Sequence, residues 1–132
     1  MEKSKVYFIK EVTPENVVRA YDALGITLGS VAVKLHSGEP GNQNFLRPDF
    51  MKSAVNHVNG TIVECNTAYD GGRDTTERHK ETMQLHGWIE IADADIMDAE
   101  GQVELPVVGG KQLETNYVGK NLLDYDSMLV LS

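Results

Sequence analysis

Along the first two thirds of the chain, short apolar runs alternate with stretches of helical periodicity. Lys5 to Lys10 (Lys-Val-Tyr-Phe-Ile-Lys) is dense in β-branched and aromatic residues and predicts a strand. Thr13 and Pro14 then offer a cap and a first helical position, with Val17, Val18, Tyr21 and Leu24 on one face and Gly25 as the stop. Ser30 to Leu35 is an apolar run suited to a strand covered on both faces. A long loop, His36 to Arg47, follows it. Pro48 opens a second helix, striped by Phe50, Met51, Ala54, Val55 and Val58 as far as Gly60. Thr61 to Cys65 predicts the third strand. Another polar loop, Asn66 to Arg73, leads to a helix from about Thr75 to His86, with Asp74 and Glu77 spaced as a cap and its partner, and Gly87 ends it. Strands and helices in this order favour a parallel sheet with right-handed crossovers.

After Trp88 the pattern changes. Ile89 to Met97, Gln102 to Val108 and Leu113 to Val118 are strand-like pieces separated by Glu100-Gly101 and Gly109-Gly110, which predicts a meander attached to the parallel core. Ser127 to Leu131 reads as a further buried strand. The fold class is therefore α/β and three-layered, with a mainly parallel sheet in residues 1–88 and a β-rich meander in residues 89–132. No linker or repeat separates the two, so residues 1–132 are read as one domain.

Composition narrows the function. The chain has 132 residues, a formal charge of -8 and 41% hydrophobic residues, enough to bury a core without staples. That acidic balance argues against nucleic acid or an anionic membrane as the main partner, since both call for surplus Lys and Arg. The charge is uneven: residues 1–88 hold 11 acids and 10 bases and residues 89–132 hold 9 and 2, so the acids of the second part read as a solvated face. No apolar stretch approaches the roughly 18 residues of a membrane span, and the opening residues lack an apolar leader core. A soluble, cytoplasmic protein is expected. The one cysteine, Cys65, cannot by itself form an internal disulfide, a structural zinc site or an iron-sulfur cluster.

Ligands of open parallel sheets collect beyond the carboxyl ends of the strands. Two loops lie there. The first carries His36, Glu39, Asn42, Asn44 and Arg47; the second carries Asn66, Thr67, Tyr69, Asp70 and Arg73, with His79 one turn into the helix behind it. Three chemistries fit these residue types. His36, Glu39 and His79, with Asp70 as a further donor, suit a divalent ion. Arg47 and Arg73, near the helix starts at Pro48 and Thr75, suit a phosphate or carboxylate. Cys65 with a nearby histidine would suit a nucleophile. Each has a plainer reading beside it: Gly- and Asn-rich loops are often turns, a strand-end Cys is usually a small buried hydrophobe, and a lone histidine has many structural uses. His57 and His86 sit near helix ends and carry no assigned role; Met51 and Met83 read as core. The Gly-Glu-Pro-Gly-Asn loop matches neither a Walker motif nor the dinucleotide fingerprint.

The spaced motifs Val33-Lys34-Leu35-His36-Ser37-Gly38-Glu39-Pro40-Gly41-Asn42, Phe45-Leu46-Arg47-Pro48, Asn66-Thr67-Ala68-Tyr69 with Gly72-Arg73, and His79 with Gly87 resemble the Fe-S-center protein family built on the domain of unknown function 362. The resemblance implies that Lys34, His36, Glu39, Asn42, Arg47, Pro48, Asn66, Thr67, Tyr69, Arg73 and His79 are motif positions. It also implies a larger protein that continues into a His- and Gly-rich segment with ferredoxin-type cysteines for 4Fe-4S clusters, of which this chain is the N-terminal portion. Those cysteines are not in this chain. A sheet ending in an apolar edge strand implies a homodimer or larger assembly. The expected function is binding of a metal ion or small anionic ligand in a redox-associated role. The alternatives are a divalent-metal-dependent hydrolase or transferase, and a structural fragment without activity.

Overall fold

Four of the apolar runs meet in one parallel sheet. The computed structural model describes residues 3–26 and 29–132; Met1 and Glu2, part of the stretch read for a leader, lie outside the described residues. The strands are β1 (Val31–Lys34), β2 (Thr61–Glu64), β3 (Ala94–Ile96), β4 (Gln102–Pro106), β5 (Thr115–Gly119) and β6 (Ser127–Val130). The main sheet has the order β3-β2-β1-β6 with every pairing parallel, and β4 and β5 form a separate antiparallel pair. The α/β expectation holds.

The helices are α1 (Pro14–Asp22), α2 (Pro48–His57) and α3 (Thr76–Leu85). Thr13 caps α1, its hydroxyl accepting from the Asn16 amide at 3.2 Å. Because side chains alternate along a strand, Val31, Val33, Ile62 and Ile96 face one way, into a core with Met51 and Val55 of α2, Met83 of α3, and Trp88. Ala32 and Val63 face the other way and pack with Met97, Leu122 and Tyr125. The Asp95 carboxylate of β3 fastens that second covering, accepting from Asn121 Nδ2 at 2.9 Å and from the Tyr125 hydroxyl at 3.1 Å.

Several boundaries differ from the sequence reading. Residues 5–10 form no strand: Val6 and Phe8 are exposed, and Lys5, Val6 and Tyr7 line an apolar cleft beside α1, Leu129 and Leu131. β-propensity reports how side chains fit a pleated, half-buried surface and does not by itself supply a pairing; residues 5–10 pair with neither edge strand, β3 or β6. The cap of α3 is Thr75 rather than Asp74: the Thr75 hydroxyl accepts from the Arg78 amide, while Asp74 accepts from the Gly71 amide and pairs with the Arg78 guanidinium. Within Ile89 to Met97 only Ala94–Ile96 is strand, preceded by a 3-10 turn at Trp88–Glu90. β3 and β6 extend the parallel sheet, which leaves the β4–β5 hairpin as the antiparallel part of the expected meander. β3 follows β2 outward, whereas β6 returns to the far side of β1, so the strand order reverses at the β1–β6 boundary. Among the described residues no helix is long and apolar enough to cross a membrane.

Candidate functional site

The alternation that turns Ile62 toward the helices does the same to Glu64, the last residue of β2. Glu64 is only 3% exposed, and a carboxylate so placed must be neutralised or hydrogen-bonded. Its Oε2 accepts from the Ser37 amide at 3.1 Å and faces His79 Nε2 at 3.1 Å. Its Oε1 accepts from Arg73 Nη1 at 3.3 Å, with Lys34 Nζ at 3.7 Å and His36 Nδ1 at 3.9 Å beyond. Burial pushes this carboxyl upward; the hydrogen bonds from His79 and Ser37 and the Lys34 charge outweigh it and bring the pKa down to about 2. Glu64 is thus an anion held by donors from both loops.

Arg73, with its side chain 7% exposed, ties the loops together. Its Nε donates to Glu39 Oε1 at 2.9 Å and its Nη2 to the same oxygen. The Tyr69 hydroxyl donates to that oxygen too, at 2.7 Å. Hydrogen bonding to Arg73 holds the Glu39 carboxyl below its ordinary range against desolvation. Arg73 Nη1 also lies 3.4 Å from His36 Nδ1. A guanidinium has donors alone, so this contact is a hydrogen bond in the tautomer that carries the ring proton on Nε2. The His36 side chain is 48% exposed.

The expected site residues therefore separate into two groups. Lys34, His36, Glu39, Tyr69 and Arg73 converge at the carboxyl ends of β1 and β2, with His79 fully buried behind Glu64. The other four shape the loops. Asn42 Oδ1 accepts from the Asn44 amide, and Arg47 bonds to Gln43 while lying over the Phe45 ring. Asn66 is held by Asp98 and Thr76; the Thr67 hydroxyl donates to the Tyr69 carbonyl and its amide to the Arg73 carbonyl, so Thr67 braces the second loop. Sequence reasoning passed over Glu64 and the anchors of Ser37. Both His86 Nδ1, at 2.8 Å, and Trp88 Nε1, at 3.0 Å, bond to the Ser37 carbonyl and so set the amide that meets Glu64. The available clue was a lone acid two positions after Ile62 in an otherwise apolar strand. Cys65 is exposed rather than buried, because the alternation at the end of β2 turns it away from the core that holds Glu64; desolvation and the Asp98 charge push its thiol above the ordinary value. Among the described residues no three His, Cys, Asp or Glu side chains stand together as a metal-holding group.

Fold and site together define an open parallel α/β domain whose strand ends carry a charged, half-open rim. The chain belongs to the family described as domain of unknown function (DUF362), whose sequence model matches residues 31–132, from the first residue of β1 onward. Comparison with curated proteins found no match, and comparison with solved structures found none.

Proposed function

We propose that the rim formed by β1, β2 and their following loops binds a small anionic ligand, held by Lys34 and His36 with Arg73 behind them. The observation that carries this reading is the orientation of His36. With Nδ1 accepting from Arg73, its Nε2–H is the ring atom left to meet a ligand, and it meets it as a donor. A divalent ion would need a bare nitrogen there. His79 Nε2 is already engaged by Glu64, and Glu39 Oε1 by Arg73 and Tyr69, so the anion fits better than the ion expected on His36, Glu39 and His79. A 4Fe-4S cluster takes four thiolates and this chain offers Cys65 alone; its residues do not fit that group, and no redox step is placed at this rim.

The test is a chemical-shift titration of the folded protein with malonate and with inorganic phosphate. Lys34→Met and His36→Ala are expected to weaken binding by roughly tenfold each, with both variants still folded by circular dichroism and Lys34→Met somewhat less stable to heat, because its ammonium stands 3.7 Å from the Glu64 carboxylate. Unchanged affinity in both variants would remove the reading; unfolding of His36→Ala would make that histidine structural.

Self-association belongs to the same proposal. Among the described residues β6 pairs with β1 alone, leaving its outer edge without a strand beside exposed Met128 and Val130, and a second copy adding a strand there would bury both. Sedimentation velocity is expected to show a dimer that Val130→Lys dissociates; a wild-type monomer at high concentration would refute it.

A further inference from the structure

Arg73 is shared by two carboxylates of very different character. Glu64 is buried, and besides Arg73 it has Ser37 and His79 to hold it. Glu39 is 27% exposed, its contacts with Arg73 and Tyr69 all fall on Oε1, and among the described residues no side chain or amide donates to Oε2. Three donors converging on one oxygen make a ready receptor for an oxyanion: the edge of a nearly buried guanidinium and a phenol hydroxyl, fixed by backbone bonds such as that from the Thr67 amide to the Arg73 carbonyl at 2.8 Å. The group seated in that receptor comes from the chain itself, beside the two rim donors, Lys34 Nζ and His36 Nε2–H, that Glu39 does not engage. Lys34 Nζ meanwhile donates to the Leu35 carbonyl.

We propose that Glu39 is an internal stand-in for the ligand: the natural ligand is a small carboxylate bearing a second oxygen acceptor, and it binds by displacing Glu39 from Arg73 and Tyr69. This rests on the anion-binding reading above and names the chemical class of that anion. The exchange is permitted by the charges that stay behind. When Glu39 turns into water it regains hydration, while Arg73 keeps its contact with Glu64 and is never left unpaired, because the incoming carboxylate takes the place that Glu39 leaves. The incoming carboxylate takes the same three donors, and its second acceptor reaches His36 Nε2–H, which Glu39 leaves unused. Glu39 therefore acts as a brake on affinity, because only the fraction of molecules with the receptor open can bind.

The experiment is calorimetric titration of malonate and of inorganic phosphate into the wild-type protein, Glu39→Gln, Glu39→Ala and Lys34→Met, with circular dichroism to verify each fold. Glu39→Gln and Glu39→Ala are expected to bind malonate roughly tenfold more tightly than wild type, the gain for phosphate being smaller. If both Glu39 variants bind malonate no better than wild type while Lys34→Met weakens it, displacement is wrong and the anion site stands. If phosphate gains as much as malonate, the carboxylate assignment is wrong. If no variant and no wild-type protein binds either anion, the underlying reading of the rim falls with it.

Discussion

Glu64→Leu is expected to destabilise the domain by about 3–5 kcal/mol, the usual cost of removing one partner from a buried ionic cluster. Leucine fills the space but offers nothing to the Ser37 amide, to His79 or to Arg73 Nη1, each within 3.3 Å of the carboxylate. Urea unfolding measures the loss, and a change below about 1 kcal/mol would mean that the donors find other partners. Acid supplies a second readout. The Glu64 carboxyl lies at about 2 in the fold against an ordinary 4.5, so the folded state prefers the ionised form. Its contribution is complete above 4.5 and disappears as the pH falls toward 2, a total of about 3 kcal/mol. Glu39, Asp74 and Asp126 are also held low and contribute acid dependence of their own. The difference between the wild-type and Glu64→Leu stability profiles, read between pH 5 and pH 2, isolates the Glu64 part; parallel profiles would contradict it.

Trp88→Ala is expected to cost a similar amount, about 3–5 kcal/mol, for a different reason. The ring is fully buried in the core that includes Val33, Met51, Val55, Ile62 and Met83, so truncation leaves a cavity on the helical side of the sheet. It also removes the indole donor to the Ser37 carbonyl. Trp88→Phe keeps most of the volume and loses that bond, and is expected to cost about 1–3 kcal/mol. Thermal unfolding distinguishes the two variants; equal losses would show that the hydrogen bond rather than the ring volume carries the effect.

The helical half of the fold was legible because its markers are local. Thr13-Pro14, Pro48 and Gly87 punctuate the chain through their own backbone chemistry, and the stripes on α2 follow from a period of 3.6. What escaped was pairing. Residues 5–10 have the composition of a strand but pair with no strand of the sheet, running instead along the cleft beside Leu129 and Leu131, and nothing near Ala94 or Ser127 announces that those segments lie parallel to β2 and β1. The same division runs through the site. His36 and Arg73 could be placed on one rim once their strands were taken as neighbours, because strand ends fix loop positions. Glu64 was missed because a single acid at a strand end ordinarily faces water, and only the arrival of His79 from α3 and Ser37 from the first loop makes it a buried anchor. Arg47 and Asn42 were drawn in by residue type alone, and their bonds serve the loop that carries them.

The distance in sequence between β1 and β6 has a cost during synthesis. Ser30 and Asp126, bonded at the start of that pairing, are 96 residues apart. At translation speeds of about 5–20 residues per second, the nascent chain carries β1 with one flank open for roughly 5–20 s. Throughout that interval Val31, Ala32 and Val33 lack the neighbour that β6 supplies, which makes the β1–β6 pairing the last of the main sheet's pairings that the growing chain can form.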